Sequence, residues 1–281
     1  MRGIEVRPIA PALGAEVRGL DIAGPLDGAA VAALRRALLD RLVIFFRGQD
    51  LTPERHKAFA AGFGPLQTDV FVRGMDADPE IMEVIKRAED ARVFAGNWHA
   101  DVTFQEAPAL GSVLYALEVP AVGGDTLFAN MYLAYEALSP GMRGLLAGLG
   151  AVHCAYPSYD VDSMAARNKQ PGGMRYTASD PRQWTAEHPV VRTHPETGRK
   201  GLFVNRSYTR RFTGMTEAES RPLLEFLLAH MTRPEFTCRF RWQKGSMAFW
   251  DNRCAQHCPL NDYPGARRIM HRVTIAGDRP V

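Results

Sequence analysis

From Phe236 to the C-terminus the chain is written as strand. Phe236, Cys238, Phe240 and Trp242 alternate with Thr237, Arg239 and Arg241, the period of two expected of a half-buried strand. Residues 246–250 predict a second strand and residues 267–276 a third. Upstream, Leu42-Val43-Ile44-Phe45-Phe46 and the stretches 81–86, 111–117 and 126–130 have the β-branched and aromatic content of buried strands. Shorter strands are expected at 4–8 and 15–19. Helices are fewer. Asp27 opens an amphipathic one carried by Val31, Leu34 and Leu38, and Thr52-Pro53-Glu54 starts another that runs to Phe63. Ser139-Pro140 begins a short helix, and the capping box Thr216-Glu217-Ala218-Glu219 begins one lasting to about His230. With no repeat and no linker, the pattern predicts one domain over residues 1–281, mainly β with flanking helices, as a sandwich or barrel. Residues 157–187 are polar and rich in Gly and Pro, and read as a long mobile excursion.

Hydrophobic residues make up 46% of the 281 and charged residues 23%, enough for a substantial core. Lys+Arg minus Asp+Glu is 34 − 31 = +3, with the signs interspersed, which argues against nucleic acid or an anionic membrane surface as partner. The four cysteines form no disulfide framework and no paired zinc motif. The N-terminal residues lack the apolar core of a signal peptide, and no run approaches about 18 apolar residues. A cytoplasmic protein is the expectation.

Chemistry concentrates in Asn97-Trp98-His99-Ala100-Asp101-Val102-Thr103. On an extended segment, side chains at i and i+2 face one way, so His99 and Asp101 can meet one ion. An imidazole and a carboxylate suit a borderline divalent metal such as Fe(II), and His257, lying between two strong strands, is the best third ligand. On these residues alone, a surface pair with His257 in a loop remains the commoner arrangement, since His-x-Asp recurs by chance. His153, His188, His194 and His230 read as packing or surface histidines.

A second constellation lies on the last strand, where Arg268, Met270, Arg272 and Thr274 share one face. At about 3.3 Å per residue the two arginines stand about 13 Å apart. Guanidinium groups on a core-facing surface are costly unless each meets an anion, whereas on a solvated face they only keep an edge soluble. Gly123-Gly124-Asp125-Thr126 reads as a turn whose hydroxyl has the chemistry to support a bound carboxylate.

Together these segments resemble the taurine dioxygenase family of Fe(II)- and 2-oxoglutarate-dependent oxygenases, which includes the aryloxyalkanoate dioxygenases. The resemblance rests on NWHADVTF (97–104), GGDTL (123–127), YEALS (135–139), HPVVRTHPETGRKGLFVN (188–205) and, within 250–277, WDNR, QH, RRIMHR and TI in order. It implies a double-stranded β-helix, or jelly roll. It implies that His99, Asp101 and His257 hold Fe(II), that Thr126 and Arg268 clasp the distal carboxylate of 2-oxoglutarate, and that Arg272 anchors an acidic substrate. O2 is the other cosubstrate, and the products are succinate, CO2 and a hydroxylated carbon. A carboxylate at Asp101, where related halogenases have a small residue, implies hydroxylation. Dimers or tetramers are common in the family, so a homodimer or homotetramer is expected.

The sequence departs from taurine-specific members, which carry a histidine where Asp69 stands and an asparagine where Ala95 stands. Ser158 and Tyr208 match the substrate-pocket region, and an aspartate beside an incoming sulfonate would repel it. The expected substrate is a small organic acid other than taurine: a sulfonate, an aryloxyalkanoate or a similar carboxylate. The alternatives are biosynthetic oxidation of an amino-acid-like substrate whose ammonium pairs with Asp69, and a catalytically idle ligand binder. Residues 157–187 are expected to form a lid over the substrate side.

Overall fold

Alternating side chains on a few strands decide the architecture. In the computed structural model, which describes residues 3–281, Val43–Phe46 sends Ile44 and Phe46 to one apolar cluster and Val43 and Phe45 to another. Met247–Asp251 divides likewise, with Met247 and Phe249 on one side and Ala248 and Trp250 on the other. At these two strands both faces of the sheet are therefore buried, and they read as continuous apolar runs.

The sheet runs in the order Glu5–Pro8, Ala15–Arg18, Val43–Phe46, Met247–Asp251, Gly111–Glu118, Arg268–Ile275, Leu66–Gln67, and Ile81–Lys86 also pairs with Arg268–Ile275. Its outer face packs on the helices Gly28–Arg41 and Pro53–Ala61 through Leu34, Leu38, Phe59 and Ala60. Asp27 and Thr52 cap those helices as the sequence predicts. The inner face packs on a smaller sheet of Thr237–Phe240, Thr126–Asn130 and Ala255–Pro259. Phe45 of the large sheet stacks on Phe240 of the small one, with ring centroids 4.0 Å apart, and meets Phe128 edge-on at 5.6 Å. Two sheets face to face with helices outside make the expected jelly roll.

Several expectations are corrected. Residues 157–187 are not an irregular excursion. Asp160 caps the helix Val161–Asn168, Thr185–Pro189 is a strand, and Tyr159, Met164, Met174 and Tyr176 bury themselves against Phe71 and Phe104. Polar residues mask this segment because its few buried side chains are widely spaced among exposed ones. The strand expected from Phe236 is shortened to Thr237–Phe240 by a turn at Pro234–Phe236. A further sheet, Thr209–Phe212, Gly150–Cys154 and Thr185–Pro189, was not expected, and it flanks the helix Glu217–Met231. Among the described residues, no helix is long and apolar enough to cross a membrane.

Phe45 lies where the two sheets meet, so Phe45→Ala should destabilise the protein by about 3–5 kcal/mol, measured by urea unfolding. A loss below 1 kcal/mol would mean that the inter-sheet core does not hold the sandwich together.

Candidate metal and 2-oxoglutarate site

The inner face of the large sheet turns polar at one end. Arg268 and Arg272 lie there on the same side of their strand as Met270, which sits in the inter-sheet core, so both guanidinium groups point into the sandwich. On the opposite face, Val273 and Ile275 pack under the helices. The arginine face is therefore buried, which removes the solvated-edge alternative.

His99, Asp101 and His257 come together, with ligand atoms all within 4.8 Å of one another. The local reason differs from the extended-segment expectation. His99 forms a single antiparallel bridge with His257, while Asp101 lies in a turn closed by Val102 at φ 48°. His257 is not in a loop but on Ala255–Pro259, a strand whose sequence AQHCP has no β-branched residue to announce it. His99 donates its Nδ1–H to the carbonyl of Asn97 at 2.7 Å, which leaves its Nε2 lone pair facing Asp101 Oδ1 at 3.7 Å. His257 Nε2 lies 3.9 Å from the same oxygen. Burial pushes the pKa of both imidazoles down, that of His257 further because His99 adds to it, so both are neutral and have lone pairs to give.

Asp101 is only 2% exposed, yet it is held as a carboxylate. Burial alone would raise its pKa; Arg272, with the hydrogen bond from Ser112, outweighs burial and keeps the group well below the usual carboxylate range. Arg272 Nη1 donates to Oδ1 at 2.9 Å, and Ser112 Oγ and Asn252 Nδ2 donate to Oδ2 at 2.8 and 3.2 Å. Asn252 Oδ1 in turn accepts from the Asp101 and Trp250 N–H groups.

The arginines differ in company. Arg272 Nη2 also donates to Asp69 at 3.1 Å, and Asp69 accepts the N–H groups of Phe71 and Val72. Asp69 is thus a buried counterion of Arg272, not a lone charge facing the cavity. Arg268 is 5% exposed, and its Nε and Nη2 have no hydrogen-bond partner among the described residues. It faces a cavity shared by Thr126, His99, His257, Lys86, Tyr263 and Leu114. Thr126 Oγ accepts from Trp242 at 3.0 Å, so its own O–H remains free to donate. Tyr208 is buried edge-on to the His99 ring at 6.1 Å. Ser158 is exposed, and its hydroxyl donates to the Ser207 carbonyl at 2.6 Å.

The family model for the taurine catabolism dioxygenase TauD, TfdA family matches residues 5–274. The chain belongs to that family. It is 38% identical to an alpha-ketoglutarate-dependent sulfate ester dioxygenase of Pseudomonas putida, over 99% of this chain and 91% of that protein. It is 35% identical to the alpha-ketoglutarate-dependent 2,4-dichlorophenoxyacetate dioxygenase of Cupriavidus pinatubonensis, over 99% of each. A crystal structure of a taurine dioxygenase from Burkholderia xenovorans superposes with a TM-score of 0.83 at 38% identity, covering 99% of this chain and 92% of that one.

The TauD/TfdA chain is accordingly an Fe(II)- and 2-oxoglutarate-dependent dioxygenase that uses O2. Its residues fit that requirement: two neutral imidazoles and a carboxylate suit Fe(II), and the unpartnered Arg268 suits a carboxylate. Sequence reasoning missed Ser112 and Asn252, single polar side chains within or just after apolar strands.

The four histidines set aside as packing residues are buried and hydrogen-bonded, His153 to Thr103, His188 to the Thr103 carbonyl, His194 to Asp251 and His230 to the Ala134 carbonyl. His194, Asp251 and Cys254 also cluster, but Arg253 and His194 already take both Asp251 oxygens. Burial would raise the Asp251 pKa; the hydrogen bonds from Arg253 and His194 outweigh it and hold the group below the usual range. Its contribution is therefore full above the unfolded carboxylate pKa of about 4 and is lost as pH falls towards the lower folded value. Asp251→Asn should cost about 3–5 kcal/mol at neutral pH and flatten the acid limb of stability measured by urea unfolding from pH 7 to pH 3.

Proposed function

We propose that His99, Asp101 and His257 are the Fe(II) ligands, that Thr126 and Arg268 bind the distal carboxylate of 2-oxoglutarate, and that the Arg272 side receives a small organic acid for C–H hydroxylation. The convergence of three ligand atoms within 4.8 Å, on residues far apart in the chain, carries this reading. Fe(II), when bound, supplies the O2 chemistry that converts 2-oxoglutarate to succinate and CO2 and oxidises the substrate carbon. The protein's part is position and charge. Arg272, Ser112 and Asn252 fix the Asp101 carboxylate, and the Asn97 carbonyl fixes the His99 tautomer. Arg272 Nε, buried without a partner among the described residues, is left for a substrate anion. Tyr208 supplies an aromatic wall between the metal ligands and an outer pocket that Ser158 also lines.

Two relatives are named for a sulfate ester and an aryloxyacetate, both organic acids with an oxygen on the carbon chain. We infer the same class here. Hydroxylation of the carbon bearing that oxygen gives a product that breaks to a carbonyl compound and a released sulfate or phenol. The amino-acid-like alternative needs Asp69 for an ammonium, and Asp69 already serves Arg272 and two backbone N–H groups, which favours the acid reading. Retention of the full ligand set argues against an idle binder. In this reading residues 157–187 cover the substrate side. The enzyme works in the cytoplasm, where 2-oxoglutarate is available, as a homodimer or homotetramer on the strength of the family resemblance.

Anaerobic titration with Mn(II) should give one ion per chain. Binding should vanish in His257→Ala and weaken about 10–100-fold in Asn252→Ala; undiminished binding in His257→Ala would remove the triad. Succinate release across alkyl sulfates, aryloxyalkanoates and sulfonates should be highest with the first two classes. Robust turnover of taurine alone would overturn the substrate class.

A further inference from the structure

The strand Ile81–Lys86 pairs with Arg268–Ile275 so that Lys86 stands directly opposite Arg268. Directly opposed residues project on the same face with Cβ atoms about 5 Å apart, where like charges repel. Both side chains are buried, Lys86 to 4% exposure and Arg268 to 5%. A buried pair of cations is a costly arrangement unless an anion joins them.

Among the described residues, neither cation forms an ion pair with an acid. Lys86 Nζ donates only to the Arg87 and Ala266 carbonyls, at 3.3 and 3.2 Å, and stands 4.8 Å over the Tyr263 ring. The acid that acts on Arg268 is Asp125, and its Oδ2 already accepts from Arg239 at 2.6 Å. Lys86, Arg268 and Arg272 all line one cavity together with Thr126, and that lining includes no aspartate or glutamate. Arg272 is matched by Asp69 and Asp101. The uncompensated positive charge therefore lies at the Lys86–Arg268 end.

We propose that Lys86 is a second cationic contact for the distal carboxylate of 2-oxoglutarate, paired across the strands with Arg268, and that the pair selects a dianionic 2-oxo acid over a monoanionic one. The proposal rests on the cosubstrate assignment above. One fork from Arg268 and one ammonium from Lys86 give the distal carboxylate donors on both oxygens, with Thr126 adding a third. Cations from two adjacent strands fix the distance at which that carboxylate sits, which discriminates chain length as well as charge.

The test is anaerobic calorimetry on the Mn(II)-loaded full chain, titrated with 2-oxoglutarate and with 2-oxovalerate, which has the same carbon count but no distal carboxylate. Lys86→Met should weaken 2-oxoglutarate binding about tenfold and leave 2-oxovalerate binding unchanged. Lys86→Arg should restore most of the lost affinity, and Lys86→Gln should repeat the Met result if the Met variant melts early. Unchanged 2-oxoglutarate binding in Lys86→Met, or an equal loss for both acids, would overturn the role of Lys86 and leave the cosubstrate assignment standing. A wild-type protein that binds 2-oxoglutarate no better than 2-oxovalerate would overturn the assignment, and this proposal with it.

Discussion

A carboxylate out of reach of water persists as an ion only when something answers its charge, and at Asp101 that something is Arg272. The two imidazoles beside it are neutral, so they offer lone pairs but no compensating charge. Without the guanidinium at 2.9 Å, burial would favour the protonated carboxyl, a poorer candidate ligand. With it, the three donors stand together before any ion arrives. Such a site needs little rearrangement on metal binding. The same guanidinium reaches Asp69, so one buried cation holds two buried acids.

The rest of the fold arranges for that contact to happen. Asp101 draws partners from Ser112 on Gly111–Glu118, Arg272 on Arg268–Ile275 and Asn252 just after Met247–Asp251, three adjacent strands of the large sheet. His257 comes from the small sheet, and its bridge to His99 joins the turn bearing Asp101 to that sheet. The site thus lies where the two layers meet. Their shared core of Phe45, Phe128, Phe240 and Trp250 sets the separation across which the ligands face one another. Packing energy and ligand geometry are linked here.

How much could be read in advance follows from what each residue needs. Strands buried on both faces are rich in Val, Ile and Phe, so Val43–Phe46 and Gly111–Glu118 announced themselves, as did capped helices such as Glu217–Met231. Ala255–Pro259 did not, because its pairing is set by neighbours rather than by its own composition. Val161–Asn168 was hidden because its one buried residue, Met164, gives no period. At the site, the metal candidates and both arginines were legible because ionisable groups in apolar surroundings stand out. The supporting residues were not. Ser112 and Asn252 matter through hydrogen bonds to Asp101, 11 and 151 positions away, and only three-dimensional proximity discloses that. Asp69 was noticed but misread as a lone charge, since nothing in a linear sequence pairs it with Arg272.

The two arginines of the last strand show how context separates identical side chains. They share a face, a strand and a degree of burial, yet Arg272 meets two acids while Arg268 meets none. An anion arriving near Arg272 finds Nε free but shares the guanidinium's charge with Asp69 and Asp101, which weakens its hold. An anion arriving near Arg268 meets no such competitor, and it relieves the repulsion between Arg268 and the lysine opposite. The free-energy gain per carboxylate is accordingly larger at the Arg268 end. Under the proposed assignment, electrostatics would hold the cosubstrate's distal carboxylate more firmly at the Arg268 end and the substrate acid more loosely at the Arg272 end. A looser hold suits a molecule that must turn over, and a firmer one suits a cosubstrate common to every cycle.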